Sequence, residues 1–166
     1  MTHHEEQIRT LCRALLGAGK TLATAESCTG GGIAKALTEL PGSSAVFLGG
    51  AVTYTDAMKQ TLLGVPQELL DVHTAVSAPC AKAMAEGIRE RTGACLAVSA
   101  TGYAGPGGGT EKDPVGTVYI GISSPRACFA ERFSAPAESS RKEIREAVIL
   151  RALELLLRET EALSEQ

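Results

Sequence analysis

The feature that most constrains the fold is an apolar run that ends abruptly in small polar residues and glycines. A second apolar pattern with helical spacing follows. Residues 22–37 read LATAESCTGGGIAKAL, so Ser27 stands between the apolar run and a row of three glycines. A strand that feeds a glycine-rich helix start places side-chain nucleophiles beside bare backbone N–H groups, which suits a site where negative charge binds or develops. An ordinary turn that uses glycine for its positive φ has the same pattern, so this stretch alone leaves both interpretations open.

The same arrangement recurs at two other apolar runs of the chain. The run at 46–54 ends at Tyr54 and leads into a helix start that contains Lys59, and the run at 95–100 leads into the glycine-rich loop 101–109. Because the carboxyl ends of parallel strands meet at one edge of a sheet, we expect these ends to lie beside Ser27.

The remaining periodicity predicts an α/β protein. Apolar spacing and cap residues predict helices over 5–16, 31–40, 77–93 and 139–163, a helix that begins at 55 or 56, and one further short turn at 67–71. Residues 115–123 and 128–134 alternate like two antiparallel strands. This order predicts a three-layer sandwich with a mixed, mostly parallel sheet and helices on both faces, in a single domain over residues 1–166.

Composition restricts the class of partner. Only 4% of the residues are aromatic and the net charge is −3, which argues against the stacking surfaces and basic patches of nucleic-acid-binding proteins. Neither a signal sequence nor an apolar run of roughly 18 to 20 residues is visible, so we expect a cytoplasmic protein without a membrane partner. A small-molecule ligand fits better, and the apolar faces leave a homodimer open.

Cysteine usage and glycine spacing both argue against bound cofactors. The loop 101–109 does not match a dinucleotide-binding pattern, because Thr110 stands where the last glycine is needed. The cysteines are odd in number, widely spaced and without a C-x-x-C pair, which predicts free thiols and neither a disulfide framework nor a metal site. They are Cys12, Cys28, Cys80, Cys95 and Cys128.

Cations stand at the start of the last predicted helix, where they oppose the helix dipole. Arg141 or Arg145 is therefore interpreted as a ligand of an anion such as a phosphate, with plain surface charge as the alternative. The glycines of the preceding loop, among them Gly105 and Gly107, can cradle an anion with their backbone N–H groups.

Three blocks of this sequence, in order, resemble one protein family. They are AESCTGG at 25–31, Tyr54 and Lys59 before LLGV at 62–65, and VSATG at 98–102 with AGP at 104–106 and PVGTV at 114–118. These blocks resemble the C-terminal domain of the competence/damage-inducible CinA family, whose stand-alone members include nicotinamide-nucleotide amidohydrolases. The similarity runs over nearly the whole chain.

The resemblance implies an enzyme of pyridine nucleotide salvage that needs no metal or organic cofactor. It would convert nicotinamide mononucleotide and water into nicotinic acid mononucleotide and ammonia. Carried over by position, Ser27 would be the nucleophile, Lys59 would accept its proton, and Tyr54 would relay or orient that proton.

The other site residues follow from the same matching positions. Backbone N–H groups of the glycine-rich turn would stabilise the oxyanion, with Thr101 as a nearby side-chain donor, and the loop and arginines would hold the nucleotide. The residues assigned to these roles are Cys28, Thr29, Gly30, Gly31, Thr101, Gly102, Gly105, Gly107, Arg141 and Arg145.

The chain departs from the family pattern at three positions that bear on the substrate contacts. Asp56 and Ala57 stand where the family usually has asparagine and glutamate, and Tyr103 replaces an aliphatic residue. The alternatives that remain open are catalysis by Cys28, a non-catalytic nucleotide-binding domain, and an amidase for a different nucleotide.

Overall fold

The computed structural model describes residues 3–166, which form six α-helices, one short 3₁₀ turn at Ser43–Ala45 and a five-stranded sheet. Every predicted helix and strand is present within a few residues of its expected bounds, and the short turn predicted at 67–71 is a helix. In chain order the elements are α1 His3–Gly17, β1 Leu22–Glu26, α2 Gly32–Thr38, β2 Phe47–Val52, α3 Asp56–Leu63, α4 Gln67–His73, α5 Ala78–Thr92, β3 Leu96–Gly102, β4 Thr117–Ser123, β5 Cys128–Ser134 and α6 Arg141–Ser164.

The sheet is mixed, with strand order β2-β1-β3-β4-β5. Strand β1 pairs in parallel with β2 on one side and with β3 on the other. Strand β4 is antiparallel to both β3 and β5, so four of the five strands point the same way. The predicted fold class is confirmed, including the antiparallel pair near the C-terminal end.

Helices cover both faces of the sheet. The core on one face joins α1, α2 and α6 to the sheet, and the core on the other face joins α3, α4 and α5 to it. Leu22 of β1 belongs to the first core, whereas Ala23 and Ala25 belong to the second. Because successive side chains of a strand point to opposite faces, Glu26 lies on the same side as Leu22, beneath α2.

Apolar side chains are exposed along strand β2, at the edge of the sheet, and along helix α3 behind it. They are Leu48, Val52, Tyr54, Met58 and Leu62. The expected homodimer stays a prediction. Within residues 3–166, no helix has both the length and the apolar character that a membrane crossing requires.

Strands β1 and β2 approach each other closely at Gly50, which pairs with Thr24. A Cβ atom at Gly50 would lie 2.6 Å from the backbone oxygen of Thr24 and would also overlap the Thr24 hydroxyl. The Thr24 backbone oxygen cannot move aside as a flexible side chain can, so this position requires glycine.

We therefore expect Gly50→Ala to lower the free energy of unfolding by about 1–3 kcal/mol, because the added methyl group overpacks the β1–β2 pair. Gly17→Ala is the matched control, since no atom lies within 4 Å of a Cβ at the end of α1. Urea unfolding of both variants checks this expectation. Equal stability of Gly50→Ala and wild type would contradict the close approach.

Candidate active site

The carboxyl ends of β1, β2 and β3 meet at Ser27. The Ser27 N–H donates to the Ala100 oxygen at 2.9 Å, and the Thr53 N–H donates to the Glu26 oxygen at 2.8 Å. Ser27 therefore lies between the end of β3 and the end of β2. This confirms that the three polar strand ends share one edge of the sheet.

Helix α3 brings Lys59 to Ser27. The helix begins at its N-cap Thr55, whose side-chain oxygen accepts from the Met58 N–H. One turn later the Lys59 Nζ donates to the Thr53 oxygen at 2.9 Å and lies 3.2 Å from the Ser27 Oγ. Both side chains are almost sealed from solvent, with Lys59 2% and Ser27 8% exposed. The expected pair is thus assembled in a largely dry site.

Burial lowers the pKa of Lys59 below its ordinary value of 10.5, because the charged amine loses its hydration. Cys80, Asp56 and Cys28 act in the opposite direction, but less strongly. Within residues 3–166 no carboxylate forms an ion pair with Lys59 that would hold it protonated. Deprotonation of Lys59 to the neutral amine, which can accept a proton, consequently costs less free energy than in an exposed lysine.

The glycine-rich turn offers backbone donors beside Ser27. The N–H groups of Cys28, Thr29 and Gly31 have no oxygen acceptor among the described residues. The Gly30 N–H, in contrast, donates to the Ser27 oxygen at 3.0 Å and is already in use. The oxyanion role expected for the whole turn is therefore open to three of its four amides.

The carboxylate of Glu26, which is not among the predicted site residues, is buried directly beneath this turn. Its oxygens accept from the Thr29 hydroxyl at 2.7 Å and from the N–H groups of Ile33 at 2.8 Å and Ala34 at 3.0 Å. One signal was available: a glutamate between an apolar strand and a buried turn needs internal hydrogen-bond donors.

Tyr54 and Arg141 meet at the mouth of the site. Tyr54 is 59% exposed, and its hydroxyl accepts from Arg141 Nη2 at 2.8 Å. The other guanidinium nitrogen, Nη1, donates to the Gly105 oxygen at 2.6 Å. No hydrogen bond joins Tyr54 to Ser27 or Lys59 in the part of the chain that the structure describes. Its expected role as a proton relay thus has no supporting contact.

Arg145 approaches the turn from α6. Its Nη2 donates to the Thr29 oxygen at 3.0 Å, while its buried Nε has no partner among the described residues. A Cβ at Gly30 would lie 3.0 Å from that same Nη2, so the glycine leaves room for the guanidinium. Arg145 therefore contacts the glycine-rich turn, whereas Arg141 contacts Tyr54 and the glycine loop.

Thr101 and the glycine loop differ in their relation to the site. The Thr101 hydroxyl donates to the Ala75 oxygen at 2.8 Å, so its proton is directed away from Ser27. Gly102 packs against β4, where a Cβ would lie 2.6 Å from the Val118 Cα. Gly105 joins the site through Arg141, whereas Gly107 is exposed. The donor role expected for the Thr101 hydroxyl toward Ser27 consequently has no supporting contact.

Cys28 is buried and unsuited to act as a thiolate. Burial, with a smaller contribution from the nearby charge of Glu26, raises the pKa of its thiol to about 11. The cations Lys59 and Arg145 lower the pKa by less. Because the thiolate is the reactive form of cysteine, this environment favours Ser27 as the nucleophile.

The three departures from the family pattern lie at the margin of the site. Asp56 and Ala57 are exposed in the first turn of α3, and the charge of Asp56 acts on Lys59. Tyr103 packs against Gly108, where a Cβ would lie 3.2 Å from its ring. Within the described residues, no cluster of three or more His, Cys, Asp or Glu side chains could hold a metal ion.

A family model for the CinA C-terminal domain matches residues 4–160, nearly the whole chain. The chain belongs to this family. The CinA domain described here is 48% identical to a CinA-like protein of Parasynechococcus marenigrum over 157 residues, and 52% identical to one of Myxococcus xanthus over 138 residues. These matches cover 93% and 82% of the chain but 37% and 33% of the relatives. The chain therefore spans about a third of their length, and its single-domain organisation stays a prediction.

Solved structures of similar proteins have the same fold over their full length. The competence/damage inducible protein CihA of Agrobacterium tumefaciens matches with a TM-score of 0.91 at 42% identity, covering 95% of this chain and 96% of that one. A CinA superfamily protein of Klebsiella pneumoniae matches with a TM-score of 0.92 at 33% identity, covering 97% and 99%.

The lowered pKa of Lys59 predicts a pH-dependent stability. Between the folded pKa and 10.5 the unfolded chain binds more protons, so the stability that Lys59 contributes should rise with pH across this interval. We expect the free energy of unfolding of wild type minus that of Lys59→Met to increase as the pH is raised from neutral toward 10.5. Urea unfolding at several pH values measures this difference.

Lys142→Met serves as the control, because this lysine is 84% exposed and lies on α6. Its difference from wild type should change less over the same pH range. A difference for Lys59→Met that stays flat or falls would contradict the interpretation of Lys59 as an amine biased toward its neutral form.

Proposed function

We propose that this CinA domain hydrolyses the carboxamide of nicotinamide mononucleotide to nicotinic acid mononucleotide and ammonia. The observation that carries the proposal is the buried Lys59 amine 3.2 Å from the Ser27 hydroxyl. The choice of substrate rests on the resemblance of these positions to the amidohydrolases of the family.

Lys59 acts as the general base in the first step. The Thr53 oxygen accepts a hydrogen bond from one N–H of the Lys59 amine. The lone pair of the neutral amine is then available for the Ser27 proton. As the proton moves to Lys59, the Ser27 Oγ forms a bond to the carboxamide carbon. The electron pair of the C=O bond moves to the oxygen, which becomes an oxyanion.

The N–H groups of Cys28 and Thr29, which have no oxygen acceptor among the described residues, are the donors that the oxyanion needs. They belong to the residues that follow the nucleophile and are fixed by the backbone, so they require no reorganisation as charge develops. Removing one such donor in other hydrolases lowers kcat by about 10²–10³.

The tetrahedral intermediate collapses when its C–N bond breaks. The leaving nitrogen takes the proton from Lys59 and departs as ammonia, which leaves an ester on Ser27. Lys59, neutral again, accepts a proton from water as the water oxygen attacks the ester carbon. The bond to Ser27 Oγ breaks, Lys59 returns the proton to Ser27, and the carboxylic acid leaves.

Arg141 and Arg145 are proposed to hold the phosphate of the nucleotide. Both guanidinium groups lie at the mouth, and guanidinium groups bind phosphate oxygens through pairs of charge-assisted hydrogen bonds. The buried Nε of Arg145, which lacks a partner among residues 3–166, supports an acceptor from outside the chain.

The nucleophile is tested by ammonia release from nicotinamide mononucleotide. We expect Ser27→Ala to lower kcat by at least about 10³-fold, since the covalent route is lost. Cys28→Ala is the matched control at the adjacent position, and it should retain kcat within about threefold because the backbone N–H remains.

Loss of turnover in Cys28→Ala with turnover preserved in Ser27→Ala would reverse the assignment. Nucleotide binding by wild type without any ammonia release would favour a non-catalytic domain and reject the proposed reaction.

Phosphate recognition is tested by comparing nicotinamide mononucleotide, its riboside and free nicotinamide. We expect Arg141→Ala to raise the KM for the mononucleotide by roughly tenfold or more, and to change kcat/KM for the riboside much less. Lys142→Ala, at the neighbouring exposed cation, should leave both values unchanged. Equal rates of wild type on all three compounds would contradict a role for the arginines.

A further inference from the structure

We propose that Glu26 is a positioning residue for the reaction, whose buried carboxylate holds the turn 27–31 in its reactive shape. The inference rests on the proposed function, because it concerns how Ser27 and the donors of the oxyanion are oriented. Glu26 is not a catalytic residue, since Lys59 alone lies within hydrogen-bond distance of the Ser27 hydroxyl among the described residues.

Three contacts tie the carboxylate to both sides of the turn. Oε1 accepts from the Thr29 hydroxyl at 2.7 Å and from the Ile33 N–H at 2.8 Å, while Oε2 accepts from the Ala34 N–H at 3.0 Å. The Glu26 backbone is itself fixed, because its oxygen accepts from the Thr53 N–H. The segment from Ser27 to Gly31 is thus held at its start by the sheet and at its end by the carboxylate.

Glu26 provides the only side-chain cap for the start of α2 among the described residues. The N-cap position is Gly31, which has no side chain and makes no side-chain cap bond. Glu26 supplies the missing acceptor from the preceding strand, and so it satisfies two N–H groups that a helix start leaves unpaired. Because the carboxylate fills this space, the start of α2 is closed to the phosphate of a substrate, which agrees with a phosphate site at the arginines.

The chemistry of the contacts requires a carboxylate of this length. Glu26 is 1% exposed and forms no ion pair within residues 3–166, so its negative charge is balanced by hydrogen-bond donors alone. All three partners are donors. Glutamine keeps the length but would present an NH₂ group to one of them, and aspartate keeps both oxygens but is one methylene too short.

The consequence falls on the geometry of the nucleophile. Ser27 follows Glu26 directly, and the Cys28 and Thr29 amides, which have no backbone oxygen acceptor, lie inside the segment that the carboxylate closes. A misplacement of about 1 Å at such groups can lower a rate about 10²-fold. Arg141 contacts Gly105 and Tyr54 outside this segment, whereas Arg145 donates to the Thr29 oxygen within it. The loss of the Glu26 carboxylate should therefore change kcat more strongly than KM.

The experiment uses two measurements on the intact protein. The first is steady-state hydrolysis of nicotinamide mononucleotide, and the second is the rate at which phenylmethylsulfonyl fluoride modifies Ser27, followed by peptide mass mapping. The reagent needs no nucleotide recognition: its sulfonyl group bonds to the Ser27 oxygen, fluoride leaves, and Lys59 takes the proton. It therefore reports the nucleophile even if the substrate assignment is wrong.

We expect Glu26→Gln to lower kcat and the labelling rate by roughly 10- to 100-fold, and to raise KM by a clearly smaller factor. The ascending limb of the pH–rate profile should keep its midpoint, because Glu26 does not contact Lys59. Thr29→Val, which removes one donor and retains the carboxylate, should lower both rates by a smaller factor, and it provides the test if Glu26→Gln fails to fold.

Glu159→Gln is the matched control, since this carboxylate is equally buried but binds Ser124 and Arg126 at the other end of the molecule. It should lose stability and keep both rates. Wild-type labelling and kcat in Glu26→Gln, or in Thr29→Val if the first variant does not fold, would overturn the proposal. Normal labelling of wild type without ammonia release would reject the proposed function alone, and the labelling rates of the variants would still decide the role of Glu26.

Discussion

The parallel pairing of β1 with both β2 and β3 is the constraint on which the rest of the site depends. Since these three strands point the same way, their ends deliver Ser27, the Thr53 oxygen and the start of the glycine loop to one edge of the sheet. The close contact at Gly50 keeps β2 against β1 along this pairing. Lys59 stands one turn after the N-cap of helix α3, where its amine lies 3.2 Å from the Ser27 Oγ.

The two buried charged groups at this edge are kept in separate environments. Lys59 is held by oxygen atoms of uncharged groups, and Glu26 is held by N–H and O–H donors of its own turn. An ion pair between a carboxylate and the amine would stabilise the protonated lysine and remove the base. The fold therefore allows a lysine biased toward its neutral form beside a turn that is fixed by a negative charge.

Much of this arrangement could be predicted from the sequence, because periodicity determines elements and the direction of parallel strands determines which ends meet. That was enough to place the strand ends that lead to Ser27 and Lys59 at one edge, whereas the pairing of the two side chains was implied by the family resemblance. Side-chain partners were less accessible, since they depend on packing between residues far apart in the chain. The sequence pattern thus gave no indication that the Thr101 hydroxyl turns to Ala75, or that Arg141 joins Tyr54 to Gly105.

The carboxylate of Glu26 reaches partners no more than eight residues away in the sequence, whereas Lys59 and Ser27 are 32 residues apart. Closing the shorter loop requires less ordering of the chain. The nucleophile turn is thus a local unit, and the base is added to it by tertiary folding. A chain that has formed only β1, the turn and α2 would already contain the contacts of the Glu26 carboxylate, but the proposed base would be missing until α3 docks.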